Sequence, residues 1–212
     1  MSLIRIIPSM LIYDKKCIKG KQFKDHIKVG NPVTTAISFD SQKADEIFLV
    51  DIKAYNKKIQ PDFDVLRMIS EHISTPLTFG GNISSIDDIR NSFRNGADKI
   101  YINSSLFQNQ KLISEASFIY GSQSIIGGIN LIKINDEYKI YNHDENLDPL
   151  NHIENLIKHG VGEIKITFVH NEGMRKGFEF DYCKYINDNF DVPCIFEGGI
   201  GNLDDIKLAA LK

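Results

Sequence analysis

The sequence predicts an α/β protein built as a (β/α)8 (TIM) barrel. Three observations predict it. Short apolar runs alternate with amphipathic segments along the whole chain, and such alternation implies parallel strands joined by right-handed helical crossovers. No Gly-x-Gly-x-x-Gly follows the first run, which disfavours an open dinucleotide-binding sheet. The chain also repeats itself. FGGNISSIDDI (79–89) resembles FEGGIGNLDDI (196–206), with glycine pairs starting at 80 and 198, 118 apart. ADEIFLVDI (44–52) resembles VGEIKITFV (161–169), with Glu46 and Glu163 117 apart. Two repeats at nearly one offset predict a single domain over 1–212 made of two half-barrels, about 1–120 and 121–212.

Residues 3–12 (LIRIIPSMLI), 46–52 (EIFLVDI), 76–79 (PLTF), 98–102 (DKIYI), 123–131 (QSIIGGINL), 162–169 (GEIKITFV) and 193–196 (PCIF) read as seven strands. Each is a mostly apolar run of strand length, as expected for strands buried on both faces. Amphipathic segments at 61–73, 85–95, 108–120, 148–160, 179–189 and 202–212 read as helices. Pro61 and Pro149 suit first turns. Ser85 with Asp88 has capping-box form, and Gly96 and Gly160 stand where helix C-terminal glycines do. Residues 131–142 (LIKINDEYKIYN) read as a hairpin turning at Asn135–Asp136 and inserted after the fifth strand. Seven units leave the eighth βα unit missing from this chain. A truncated chain, a partner or a second copy would each account for the closing element.

Composition narrows the function. The chain has 212 residues, 42% hydrophobic and 25% charged, with net charge −3. That is the composition of a globular domain and not of a disordered tail, and it lacks the basic excess of a nucleic-acid binder. No apolar stretch nears the roughly 20 residues of a membrane span. The N-terminal run, broken by Arg5 and Pro8, reads as a strand and not a signal peptide. A cytoplasmic location is expected. Cys17, Cys183 and Cys194 are odd in number and form no CxxC, so reduced core thiols are expected, without disulfide or zinc. No metal-ligand spacing, P-loop or GxSxG appears, and no cofactor is expected.

RIIPSMLIYDKKCIKG (5–20), ADEIFLVDI, TFGGNI, GADKIYINSS (96–105), YGSQSI and EGGIGN occur in order along essentially the whole chain. In this the sequence resembles the cyclase subunit of imidazole glycerol phosphate synthase, the HisF-like family. The resemblance implies a duplicated half-barrel and a partner glutaminase, a class I glutamine amidotransferase, at the N-terminal barrel face. It implies that ammonia crosses the barrel to split and cyclise a phosphoribosyl substrate in histidine and purine-precursor synthesis. The family's two catalytic aspartates fall at Leu11 and Asn130. Leucine has no proton to transfer and asparagine no useful pKa, whereas a positioned acid or base contributes about 10²–10⁴-fold. Asp14 is the rival source of the group missing from the first strand. The family's ammonia gate falls on Arg5, Glu46, Lys99 and Glu163, two of each sign at strand starts. The alternative is a salt-bridged plug on the stability face of the barrel.

RIIPSMLI and DIKAYNKKIQPDF resemble a branch of the family found with surface-polysaccharide (LPS/O-antigen type) genes. That branch implies delivery of ammonia to a sugar-amidating synthetase that makes acetamidino groups on a nucleotide-activated sugar. Two alternatives stand beside it: an active cyclase of histidine biosynthesis, and a non-enzymatic sugar-phosphate-binding barrel. The resemblance further places one phosphate site at Gly80, Gly81, Asn82, Asn103 and Ser104. It places another at Glu172, Gly173, Gly198 and Gly199, with Glu197 beside it as a repelling carboxylate. Glycine-rich turns admit a phosphate to backbone N–H groups, or simply make tight turns. Lys19, in the loop after the first strand, matches a substrate contact. Asp51 and Thr167 lie at strand ends facing substrate; Asp51 alternatively caps the next turn. His170 reads as a loop residue, His152 and His159 as surface residues, and Asp98 as a residue near the glutaminase interface or a plain surface charge.

Overall fold

A computed structural model describes residues 4–144 and 146–211. Ten strands and eight α-helices alternate through them: β1 (Ser9–Tyr13), β2 (Lys16–Lys21), β3 (Lys24–Gly30), α1 (Pro32–Ser41), β4 (Ile47–Asp51), α2 (Ile52–Lys57), α3 (Phe63–Ser70), β5 (Leu77–Gly80), α4 (Ile86–Arg94), β6 (Lys99–Ile102), α5 (Lys111–Tyr120), β7 (Ile125–Ile134), β8 (Glu137–Ile140), α6 (Pro149–Lys158), β9 (Glu163–Phe168), α7 (Phe180–Asn189), β10 (Cys194–Glu197) and α8 (Leu203–Leu211). Seven strands pair in parallel in the order β10-β9-β7-β6-β5-β4-β1. The sheet curls into a barrel wall with its helices outside. Among the described residues its two ends, β1 and β10, do not pair with each other.

Strand side chains alternate between two faces, and the alternation divides the core. Met10, Ile12, Ile47, Leu49, Phe79, Ile100, Ile102, Ile125, Ile164 and Ile166 belong to one buried cluster with helix residues Leu66, Ile69, Ile89, Ile113, Leu156 and Ile186. This is the layer between wall and helices. Phe48, Tyr101 and Ile126 form a separate cluster with Ile7, Val50 and Ile195, the layer inside the barrel. Burying side chains of this size contributes about 1.5–3 kcal/mol each.

Helix starts follow their caps. Asn31, Asp51, Asp62, Ser85 and Asp148 each accept hydrogen bonds from the first turn of α1, α2, α3, α4 and α6. At α4, Asp88 Oδ2 accepts from the N–H groups of Ser84 (3.0 Å) and Ser85 (3.1 Å). At α8, Asp205 Oδ2 accepts from those of Gly201 (2.8 Å) and Asn202 (3.2 Å). The same device thus recurs 117 residues along. The β7–β8 hairpin turns at Asn135 and Asp136, both at positive φ (49° and 65°), as its sequence predicts.

Four expectations change. The first strand shortens to Ser9–Tyr13, because Pro8 has no N–H and residues 4–8 keep only scattered bonds to the next strand, such as Phe48 N–H to the Pro8 carbonyl. Residue 3 lies outside the described residues, as does residue 212 at the end of the last predicted helix. The expected loop around Lys19 is the antiparallel hairpin β2–β3, with Lys19 exposed in β2. Pro61 precedes the cap Asp62 and is not inside α3. His152 is not on the surface: it is 4% exposed on the inner face of α6.

His152 stacks on Phe107 at 4.3 Å and 2° between planes, with His143 against the other face of Phe107 at 3.7 Å. Among the described residues its Nε2 finds no partner. Burial, with His143 nearby, pulls its pKa down to about 4. A folded-state pKa below the unfolded value near 6.5 means stability is complete above that value and lost as pH falls through it toward 4. Unfolding free energy should drop by about 2–3 kcal/mol between pH 7 and pH 4.5 from this group. In the His152→Leu variant urea titrations at the two pH values should lose that part of the difference.

Candidate functional site in the barrel interior

Residues 5, 7, 9 and 11 share parity along the first strand and its lead-in, as do 46, 48 and 50 in β4 and its lead-in. So do 99, 101 and 103 along β6, and 163, 165 and 167 along β9. These positions face the barrel axis and stack in layers.

The lowest layer is a closed ring of charge. Arg5 donates to Glu46 Oε2 at 2.8 Å and to Glu163 Oε2 at 2.6 Å. Lys99 Nζ donates to Glu46 Oε2 at 3.0 Å and to Glu163 Oε1 at 2.6 Å. Thr78 Oγ1 donates to the remaining Glu46 oxygen at 2.5 Å. Cation and carboxylate alternate around the N-terminal opening, so each charge in the ring has a counter-charge. The Glu46 side chain is 3% exposed and that of Arg5 37%; the ring is sealed on one side and wet on the other.

The next layer spans the interior. Tyr101 meets Phe48 edge to face at 5.0 Å. Its ring lies against Gly80 and Gly128, where an added Cβ would come within 2.7 Å and 2.5 Å of it. The Lys165 ammonium lies 5.1 Å from the Phe48 ring centre and 5.3 Å from that of Tyr101, a cation–π arrangement. Lys165 also donates to Thr167 Oγ1 at 3.0 Å and to Glu197 Oε2. Thr167 also donates to Glu197 Oε2 at 3.1 Å, and Ser9 further favours the charged form of Glu197. Burial would lower the Lys165 pKa, but the Glu197 carboxylate holds it above the ordinary lysine value. Burial would raise Glu197, but Lys165 holds it below the usual carboxylate range. Lys165 balances the Glu197 charge, and Glu197 lines one cavity with Glu172, Gly173, Gly198 and Gly199, beside the second predicted phosphate site. This cavity of about 280 Å³ opens at the unpaired seam between β10 and β1, lined also by Ile7, Lys165 and Ile195.

Leu11 and Asn130 stand half-buried at the mouth end of the same parity, Leu11 opposite Val50 and Asn130 opposite Thr167. Asp14 does not replace them. It is exposed in the β1–β2 turn and bound to Lys53 at 2.5 Å, whose hydrogen bond holds it below the usual carboxylate range. Asp51 spends both oxygens on backbone, accepting from Ala54 N and Asp62 N at 3.0 Å each. It is the cap of α2. Asp98 accepts from Leu77 N at 2.8 Å and so pins the start of β5.

The glycines have structural work of their own. A Cβ on Gly81 (φ +119°) would meet the Asp51 carbonyl at 2.3 Å, and one on Gly199 (φ +101°) the Gly177 carbonyl at 1.9 Å. Gly173 and Gly198 are likewise pressed on backbone, of Gly20 and Phe168. Asn82 takes positive φ and donates to the Ile59 carbonyl at 2.9 Å. Asn103 donates to Tyr101 Oη at 3.0 Å, and Ser104 opens the 3-10 turn after β6. Cys183 is a core residue as expected, Cys17 is buried as well, and Cys194 is half-buried against the core. Burial pushes Cys194 up to about 12, and Cys17 and Cys183 upward too, so none is a ready nucleophile.

Sequence reasoning missed one cluster at the mouth. Glu179 accepts from Tyr138 Oη at 2.6 Å, from Asn171 Nδ2 at 2.8 Å and pairs with His170 Nε2 at 3.0 Å. Beside it the β2–β3 hairpin crosses the mouth: Gln22 N–H donates to the Glu172 carbonyl at 3.0 Å and Phe23 N–H to Glu172 Oε2 at 3.2 Å. Burial pushes Glu172 above the usual carboxylate range. Nothing in the spacing of 138, 170 and 179 signals this meeting.

These features define a parallel βα barrel closed at its N-terminal face by a paired ring of four charges. The chain belongs to the family described as histidine biosynthesis protein, whose match runs over residues 5–212. It is 38% identical over 207 residues to the protein of Clostridium botulinum (strain Alaska E43 / Type E3) named imidazole glycerol phosphate synthase subunit HisF, covering 95% of this chain and 82% of that one. It is 32% identical over 216 residues to the protein of that name from Sulfolobus acidocaldarius, covering 100% and 86%. Among the described residues no helix is long and apolar enough to cross a membrane, and no group of three or more His, Cys, Asp or Glu could hold a metal.

The ring makes an energetic prediction. Glu46→Ala strips three donors of their acceptor and leaves two cations facing one carboxylate, which should cost about 2–4 kcal/mol. Arg5→Ala should cost about 1 kcal/mol, because Arg5 reaches water and its pairs are partly screened. Urea unfolding of the two variants measures the contrast.

Proposed function

We infer that this chain is the barrel subunit of a glutamine-dependent amidotransferase of the imidazole glycerol phosphate synthase type, and that a glutaminase docks on the face closed by Arg5, Glu46, Lys99 and Glu163. The ring carries this reading. A small neutral molecule passes a paired ring when one member swings aside, and Arg5, the most exposed member, is the one with room to do so. The names of the relatives favour formation of imidazole glycerol phosphate as the reaction. Leu11 and Asn130 favour a second reading, in which chemistry happens elsewhere. There the barrel hands ammonia to a sugar-amidating synthetase in surface polysaccharide synthesis. The likeness of RIIPSMLI and DIKAYNKKIQPDF to that branch supports it.

The test mixes the chain with the glutaminase subunit of an imidazole glycerol phosphate synthase. Glutamine hydrolysis should rise by about 5–150-fold, the range of ordinary site-to-site coupling; a flat rate removes the amidotransferase reading. Turnover of the phosphoribosyl substrate with saturating ammonium salt is read beside it. The natural chain should be nearly silent, and Leu11→Asp with Asn130→Asp should raise the rate by about 10²-fold or more. Robust turnover by the natural chain would favour the cyclase and move the acid–base role to another group, with Glu172 the first to replace.

A further inference from the structure

Above the charged ring, every strand of the wall sends something into one layer. Ile7 and Ser9 come from the β1 side, Phe48 and Val50 from β4, Tyr101 from β6, Ile126 from β7, Lys165 from β9, and Ile195 and Glu197 from β10. β5 and the middle of β7 send glycines, and the Tyr101 ring occupies the space that side chains at Gly80 and Gly128 would take. Tyr101 is 7% exposed, Phe48 1%, Ile126 0% and Lys165 5%. The cavity of about 280 Å³ at the seam borders this layer at Ile7, Ser9, Phe48, Lys165, Ile195 and Glu197, while Tyr101 and Ile126 do not line it. The Lys165 ammonium is itself held by a carboxylate, a hydroxyl and two ring faces, which is the surrounding an ammonium ion prefers.

We propose that the barrel axis has a second closure above the charged ring, formed by Tyr101 with the caged Lys165–Glu197 pair, and that Tyr101 rather than the ring limits passage from the N-terminal face to the mouth. The inference rests on the reading of the chain as an ammonia-passing subunit. A ring of four side chains opens when one exposed arginine swings. In the upper closure the Glu197 side chain, 28% exposed, is the member nearest solvent, whereas Tyr101 and Phe48 are buried; Tyr101 packs on Phe48 and on the Lys165 ammonium and moves only with them. The closure therefore stays shut in this conformation even when the lower ring is open.

Two measurements separate the closure from the reading it rests on. Crystals of the natural chain, Tyr101→Phe and Tyr101→Ala are pressurised with xenon. Xenon should occupy the axis between ring and mouth in Tyr101→Ala alone. Xenon on the axis of the natural chain overturns the closure, as does an empty axis in a folded Tyr101→Ala; Tyr101→Leu serves if alanine does not fold. In the complex with glutaminase, and in the Leu11→Asp with Asn130→Asp background so that product forms, the ratio of glutamine-driven to ammonium-driven product formation should rise several-fold on adding Tyr101→Ala. An unchanged or lower ratio overturns Tyr101 as the limit. Ammonium-driven product without glutamine-driven product in both chains, with xenon on the opened axis, overturns the ammonia-passing reading and leaves the closure standing.

Discussion

Six ionised side chains share the inside of this barrel, and the fold depends on their neutrality. Arg5, Lys99 and Lys165 face Glu46, Glu163 and Glu197. Moving any one of them out of water costs several kcal/mol unless a partner and further hydrogen bonds compensate. Period-two alternation supplies the partners. A strand that places Glu163 at the axis must also place residues 165 and 167 there, and both are polar. The register of β9 against β10 sets Lys165 opposite Ile195 and Thr167 opposite Glu197, within reach of the Lys165 ammonium. A slip of one residue in β9 would turn Glu163, Lys165 and Thr167 toward the helices and strand two charges in the apolar layer.

This explains which parts of the architecture can be read from sequence. Wall strands such as EIFLVDI and GEIKITFV announce themselves, because both faces are buried and the polar residues at alternate positions mark the axis. Ser85 with Asp88, Pro149, and Asn135–Asp136 are local signals whose outcome depends on a few neighbouring residues. The β2–β3 hairpin is not legible in that way. Its lysine-rich strands are mostly exposed, so no apolar pattern marks them, and they are held by backbone bonds to a loop about 150 residues away. His152 misleads for the converse reason: a histidine seven residues from another on a helix reads as surface until Phe107, from a distant turn, covers it.

The same division holds for the site. The ring positions are legible through the family resemblance, which places the gate on Arg5, Glu46, Lys99 and Glu163, each at the start of an apolar run. The aromatic layer is hidden, since Phe48 and Tyr101 look like any other strand hydrophobe. Only the two glycines facing Tyr101, one on each neighbouring strand, betray that the ring fills the centre. Asp51 shows the limit of residue-type reasoning. A carboxylate at the end of a wall strand invites a substrate role, yet both its oxygens are committed to the backbone of α2 and α3.

Glu197 links two properties that are usually separate. Its carboxylate balances Lys165, and by accepting from both Lys165 and Thr167 it also clasps β10 to β9 at the ends of their parallel ladder. Electrostatics and mechanics thus share one clasp. The counter-charge that Lys165 needs and the side-chain hold on β10 come from a single residue, so no substitution there alters one without the other.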